Sequence, residues 1–114
     1  MESILTSIKK LLGITEEYTM FDTDLIIHIN SVFMILTQLG VGPAEGYMIE
    51  DKDDLWIDFI SDPAQIESVK SYMYLKVKLL FDPPLSSVVM ECYNRSINEL
   101  EFRLNVATDN AESV

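Results

Sequence analysis

Two side chains have the chemistry for a thiol–imidazole pair: His28 and Cys92, the single histidine and the single cysteine of the chain. A thiol acts as a catalytic nucleophile when a base activates it and a third group orients that base. His28 lies in an apolar stretch, residues 26–29, and Cys92 lies beside an apolar stripe, without an orienting group near either. Both are therefore interpreted as structural residues, since a buried free cysteine usually behaves as a small hydrophobic side chain. One cysteine and one histidine are also too few for a zinc site.

The acidic run at residues 51–54 is similar to the start of a calcium-binding loop. An EF-hand loop requires glycine at its sixth position and glutamate at its twelfth. Counted from Asp51, these positions hold Trp56 and Asp62, so the motif is rejected. No glycine precedes a Lys-Ser/Thr pair at the spacing of a phosphate-binding loop. We therefore expect no catalytic residue, metal or cofactor, and a protein that is not an enzyme.

The chain that carries these residues is small and acidic. Its 114 residues are 48% hydrophobic, which is typical of one globular domain. Nineteen acidic residues against eight basic ones give a net charge of −11, which argues against a broad grip on a nucleic-acid backbone. One cysteine excludes an internal disulfide. No stretch has the pattern of a secretory signal or a membrane span, so we expect a cytosolic chain without membrane contact.

Glycine and proline divide the chain into helical blocks, and strand signals are nearly absent. A weak strand character is confined to residues 47–49. The apolar spacing predicts an all-α fold, a small bundle of about four main helices plus one short helix. The expected blocks are residues 3–12, 23–39, 53–60, 64–81 and 84–106.

Acidic side chains at the start of these blocks predict helix caps. Asp22 or Thr23 is expected to cap the second block, Asp62 the fourth and Asp82 the last. Pro63 and Pro83 follow two of these aspartates, at the first helical position that proline favours. After residue 106 the chain turns polar, so the prediction is one helical domain over 1–106 and a flexible C-terminal tail over 107–114.

The distribution of charge and apolar residues favours contact between copies. The block at 23–39 is apolar on two sides, as expected of a helix that is central in its bundle or shared with another subunit. Residues 43–62 carry seven carboxylates against one lysine, a net charge of −6, whereas residues 63–81 carry +2. Such segments allow one copy to pair head-to-tail with the next, and contacts of this kind close rings.

Two groups of residues are candidate partner-binding positions. Trp56 and Phe59, in the acidic segment, either form a hydrophobic cluster that closes a loop over the bundle or contact a neighbouring subunit, since tryptophan is enriched at interface anchors. Phe102 and Val106 lie off the apolar stripe of the last block, with Arg103 beside them. Either these residues bind a partner, or Phe102 packs under the first helix and the tail is frayed.

In five stretches the chain resembles the small helical head–tail connector proteins of tailed phages and prophages, also called head completion or adaptor proteins. The most specific of these stretches contains the corner Leu79-Leu80-Phe81-Asp82-Pro83-Pro84, which follows the tryptophan block. The stretches are residues 29–31, 36–43, 56–59, 74–84 and 99–105, and the resemblance covers about 21–105. It implies an all-α subunit that forms a ring, typically of twelve copies, under the portal protein after DNA packaging. Such a ring extends the DNA channel and docks the next connector or the tail, without specific binding of DNA.

The same resemblance implies a protein made in the bacterial cytoplasm and located at the head–tail junction of the virion. It brings no catalytic motif. The competing interpretation is a monomeric acidic helical protein that binds a basic partner, as DNA-mimic inhibitors do. That alternative predicts carboxylates along an exposed surface and no apolar face left uncovered.

Overall fold

The computed structural model describes residues 2–112, with side chains through residue 107. Five helices and no strand are present in this part of the chain, so the all-α prediction is confirmed. One isolated antiparallel bridge pairs Ser3 with Leu55, and residues 47–49 are not in a strand. The helices are α1 (Ile4–Leu11), α2 (Asp22–Gln38), α3 (Trp56–Phe59), α4 (Pro63–Phe81) and α5 (Ser87–Glu112).

The first two helical blocks end at glycines, as the sequence predicts. Gly13 follows α1 with φ +82°, and its N–H donates to the carbonyl of Lys10. Gly40 follows α2 with φ +83°, and its N–H donates to the carbonyl of Thr37. Glycine adopts this left-handed conformation at no steric cost, and it lets the last carbonyls of a helix find donors.

Asp62 caps α4 as predicted, because its side chain accepts a hydrogen bond from the N–H of Ala64 at 3.0 Å and Pro63 occupies the first helical position. The expectation that Asp82 caps the last helix is wrong. Asp82 instead ends α4 and forms an ion pair with Lys78, and α5 begins at Ser87. Ser86 is the residue that caps α5, since its hydroxyl accepts from the N–H of Val89 at 3.4 Å.

Asp22 does not cap α2 either, and Thr23 lies inside the helix. The helix begins at Asp22, and Phe21 holds the cap position without a side-chain hydrogen bond. Asp22 lies 2.9 Å from the ammonium group of Lys9, whose side chain is buried and also donates to the carbonyl of Glu16. The carboxylate of Asp22 thus links α2 to α1 through Lys9, and Lys9 in turn contacts the segment that connects the two helices.

The last helix is longer than predicted, since α5 extends to Glu112, six residues beyond the expected end at 106. A flexible tail over 107–114 stays a prediction, and residues 113 and 114 lie outside the described range. At about 1.5 Å per residue, the 26 residues of α5 span about 39 Å.

The central helix of the bundle is α4, which packs against α1, α2 and α5. Phe21 contacts Phe81 edge-to-face, with ring centroids 5.2 Å apart, so the start of α2 lies beside the end of α4. The side-chain amide of Asn105 donates to the carbonyl of Leu39 at 3.4 Å, so α5 reaches the opposite end of α2. The molecule is a slab of 44 × 36 × 20 Å.

Candidate partner-binding surfaces

The residues considered for catalysis are on different helices. His28 is half-buried on α2, and Cys92 is exposed on α5. Among the described residues, no group of three or more His, Cys, Asp or Glu side chains is arranged to hold a metal ion. Between residues 2 and 112, no helix is both long enough and apolar enough to cross a bilayer.

Trp56 and Phe59 lie in the core of the single subunit, with exposed fractions of 1% and 3%. Phe33 of α2 packs between them, its ring centroid 4.7 Å from that of Phe59 and 6.5 Å from that of Trp56. The indole N–H of Trp56 donates to the hydroxyl of Ser7 at 3.1 Å, which satisfies the one polar atom of the ring. This burial favours the loop-closing interpretation, and contact of either residue with a partner stays a prediction.

The N-terminal segment is clamped to the same region. The N–H of Ile4 donates to the carbonyl of Asp54, and the N–H of Trp56 donates to the carbonyl of Glu2. The carboxylate of Glu2 lies 2.8 Å from the ammonium group of Lys70 and accepts from the hydroxyl of Ser7. The pKa of Glu2 lies below its ordinary value, because the hydrogen bond from Lys70 and, to a smaller extent, the one from Ser7 stabilise the charged carboxylate.

The segment between α2 and α3 is attached to the bundle through Asn30. The amide of Asn30 donates to the carbonyl of Ile49 at 3.0 Å, and its oxygen accepts from the N–H of Ile49 at 2.8 Å. One side chain therefore satisfies both backbone groups of Ile49, whose own side chain is buried. At Gly42 the backbone approaches the ring of Phe59 so closely that a Cβ atom would lie 2.3 Å from it.

An open groove results where this segment lies along the outer side of α2. We call it the α2 groove. It has a volume of about 520 Å³ and is lined by residues from the C-terminal half of α2 and from the loop: Asn30, Met34, Thr37, Gln38, Glu45, Gly46, Tyr47 and Met48. Met34 and Met48 are largely exposed in it, and the second apolar side predicted for α2 is thus left partly uncovered.

The α5 helix buries one side and exposes the other. Ile97 and Leu104 are buried against the bundle, and the hydroxyl of Tyr72 donates to the carboxylate of Glu101 at 2.7 Å. Burial, followed by this hydrogen bond, raises the pKa of Tyr72 well above its ordinary value. Phe102 lies on the opposite side of the helix and is 69% exposed, so it does not pack under α1.

Val106 is one turn after Phe102 and is also exposed, as is Arg103 between them. Arg103 pairs with Glu99 on the surface of the same helix. We call Phe102, Arg103 and Val106 together the α5 knob. The other end of the bundle exposes apolar side chains as well, at Leu80, Leu85 and Val88 around the α4–α5 corner.

The sequence itself matches a family. A family model described as Phage connector protein matches residues 4–111, nearly the whole chain. The chain belongs to this family. Neither the curated proteins nor the solved structures contain a match to the connector. The resemblance drawn from the corner motif and the tryptophan block is thereby confirmed, and the connector is a structural phage protein of the head–tail type.

More charged side chains of the connector form ion pairs within the subunit than the sequence indicates. Of the three lysines of α4, Lys70 pairs with Glu2 and Glu67, and Lys78 pairs with Asp82. The positive segment at 63–81 is thus largely neutralised within the subunit. Head-to-tail pairing through this segment loses most of its electrostatic support, and the uncovered apolar surfaces become the stronger candidates for contact between subunits.

Sequence reasoning missed the loop side of the α2 groove and the anchor that forms it. Asn30 follows Ile29 in the apolar stripe of α2, and a half-buried amide in such a place requires partners. That requirement was a usable signal. Met48 and Glu45 gave no such signal in the sequence, because they come to line the same groove as Met34 only after the loop has folded back on the helix.

Proposed function

We propose that this connector assembles into a ring beneath the portal after DNA has been packaged, extends the DNA channel, and docks the next connector or the tail. The expected number of copies is twelve, and its place is the head–tail junction of the virion. The observation that carries the proposal is the largely exposed side chain of Phe102, which lies with the exposed Val106 on the side of α5 opposite the buried Ile97 and Leu104. Exposed apolar patches mark sites of contact with other proteins, and a neighbouring ring subunit would cover this one.

The charge of the chain supports a channel through which DNA slides. A net charge of −11 repels the phosphate backbone, so a lumen formed by these subunits holds DNA weakly and without reading its sequence. The acidic residues of segment 43–62 are mostly exposed, and they supply more than half of this charge.

The C-terminal end is the part that we assign to docking on the portal or the next protein. Among the α5 residues whose side chains the structure describes, Leu104 is the last buried one, and Ala107 is exposed. The segment that begins at residue 107 is therefore the part of the chain that we assign to contact with another protein.

Deletion of residues 107–114 tests this assignment. The truncated chain should keep its helical circular dichroism and melting midpoint, because the deletion leaves every described core residue in place. It should fail to attach to DNA-filled, portal-bearing heads, measured by co-sedimentation and by the yield of heads that accept tails. The matched control replaces 107–114 by a Gly/Ser segment of equal length, which separates loss of sequence from loss of length. Normal head completion by the truncated chain would contradict the docking role.

Size-exclusion chromatography with light scattering, together with electron microscopy of heads, tests the ring itself. The proposal predicts higher oligomers or rings, in solution or on portal-bearing heads. A chain that is monomeric in both settings, and that binds basic proteins in a salt-dependent way, would instead be the DNA-mimic type of inhibitor.

A further inference from the structure

Two of the uncovered apolar surfaces, the α2 groove and the α5 knob, differ in shape. The α2 groove is concave, with Met34, Tyr47 and Met48 presenting apolar atoms to an open space. The α5 knob is convex, because Phe102 and Val106 are one helical turn apart and protrude from the side of α5 that faces away from the bundle. Aromatic side chains that enter a pocket of a partner are the usual anchors of protein interfaces.

Their placement suits contact between neighbouring copies. Asn105 contacts Leu39 at the C-terminal end of α2, so the knob and the groove are at the same end of the bundle. The helices α2 and α5 both pack against α4, and each leaves an outward side with exposed apolar residues. Subunits that stand side by side in a ring meet through two different flanks at the same height.

Each surface offers one charge that is opposite in sign to a charge on the other. The rim of the groove carries Glu45 and belongs to the acidic segment 43–62. The knob carries Arg103, whose present partner is the exposed Glu99 on the same helix. An exposed ion pair of this type contributes little, so Arg103 exchanges Glu99 for a carboxylate of another copy at small cost. Phenylalanine beside arginine is the chemistry that an apolar groove with an acidic rim recognises.

We infer that the α5 knob of one subunit inserts into the α2 groove of the next, with Phe102 against Met34 and Met48 and Arg103 facing Glu45. This contact rests on the proposed ring and names the surfaces that hold it together. It assigns Phe102 to the neighbouring subunit, and it leaves docking on the portal to the residues beyond 106.

Self-association of the full-length chain tests the contact, by native mass spectrometry and by light scattering over a range of concentrations. Phe102→Ser should weaken association about 30-fold or more, the effect of losing one anchor residue. Val88→Ser is the matched control, because Val88 has the same exposed fraction of 69% and lies on the same helix at the other end. It should change association by about twofold at most.

Mixing two variants tests the pairing of the two surfaces. Met34→Asp removes the groove and leaves the knob, whereas Phe102→Ser removes the knob and leaves the groove. Each should be monomeric alone, and their mixture should form dimers with one chain of each kind, since a single intact contact remains. Met20→Asp is the control for Met34→Asp, as Met20 is similarly exposed. Unchanged circular dichroism of all variants excludes unfolding as the cause.

Charge exchange completes the test. Glu45→Arg and Arg103→Glu should each weaken association, and the double variant should restore it. The contact would be overturned if Phe102→Ser assembled as the wild-type chain does, or if the mixture stayed monomeric. Electron microscopy of heads would then decide separately whether a ring forms through other surfaces. Where the free wild-type chain is monomeric, the same variants are compared by the number of copies retained on portal-bearing heads. A wild-type chain that assembles in neither setting overturns the ring and the contact together.

Discussion

Substitution of Gly42 by alanine should destabilise the subunit far more than the same substitution at Gly13. Both glycines have the same left-handed backbone, with φ of +83° and +82°. Around Gly13 a new Cβ atom meets nothing within 4 Å, whereas at Gly42 it would lie 2.3 Å from a ring carbon of Phe59. The pair therefore separates backbone strain, which is common to both positions, from steric overlap, which occurs at one.

The magnitude follows from these distances. An alanine in the left-handed region costs about 1–2 kcal/mol, of which the stiffer unfolded chain returns about 0.4–1 kcal/mol. At Gly42 the Cβ atom falls about 1.2 Å short of an ordinary carbon contact of about 3.5 Å. The ring of Phe59 is held by Phe33 and Tyr47, at centroid distances of 4.7 and 5.4 Å, and cannot move freely. Overpacking of this kind adds about 1–3 kcal/mol.

Guanidinium unfolding followed by the fluorescence of Trp56, the one tryptophan, measures the difference directly. Gly13→Ala should lose about 1 kcal/mol and Gly42→Ala about 2–4 kcal/mol. Adding Phe59→Leu to Gly42→Ala should cost less than Phe59→Leu costs in the wild-type chain, because removal of the ring also removes the overlap. Equal losses at the two glycines, or additive effects in the double variant, would refute the close approach of the loop to Phe59.

The remaining predictions concern a helix cap and a carboxylate. In denaturant titrations, Ser86→Ala should lower the free energy of unfolding by about 1 kcal/mol, because the cap of α5 is lost. Asp82→Ala breaks only a surface ion pair and should lower it by less than about 0.5 kcal/mol. A larger effect at Asp82 than at Ser86 would support the capping role predicted for Asp82 from the sequence. The lowered pKa of Glu2 means that its pairing with Lys70 stabilises the fold above pH 4.5, its ordinary pKa, and that this contribution disappears as the pH falls through the lowered value. The melting temperatures of wild type and Glu2→Gln should therefore differ at pH 7 and converge as the pH falls below the lowered pKa of Glu2, and a constant difference would exclude the pairing.

Local sequence predicted the helices well and one of the two Asp-Pro caps wrongly. After Asp62 comes a single proline, so the N–H of Ala64 is available to the carboxylate. After Asp82 come two prolines in a row. Pro84 offers no N–H, and it pushes Pro83 out of the helical region. The helix therefore starts only at Ser87, and the sequence already contained the reason.

The end of α5 was missed for a different reason. The prediction followed the apolar stripe, which stops at Leu104, but a helix that is already formed extends without burying side chains. For Trp56 and Phe59 the sequence left two interpretations open, a cluster that closes the loop and a contact with a neighbouring subunit. In the sequence they stand in an acidic segment, and only the folding of the loop through Asn30 and Gly42 brings them into the core.

The clamp at the N-terminus determines when the first helix forms during synthesis. With eight residues, α1 is too short to be stable alone, and the partners of its leading segment, Leu55, Trp56 and Lys70, are made some fifty to seventy residues later. At about 5–20 residues per second, the ribosome separates these parts by several seconds. The α1 helix therefore waits for the middle of the chain before it becomes ordered.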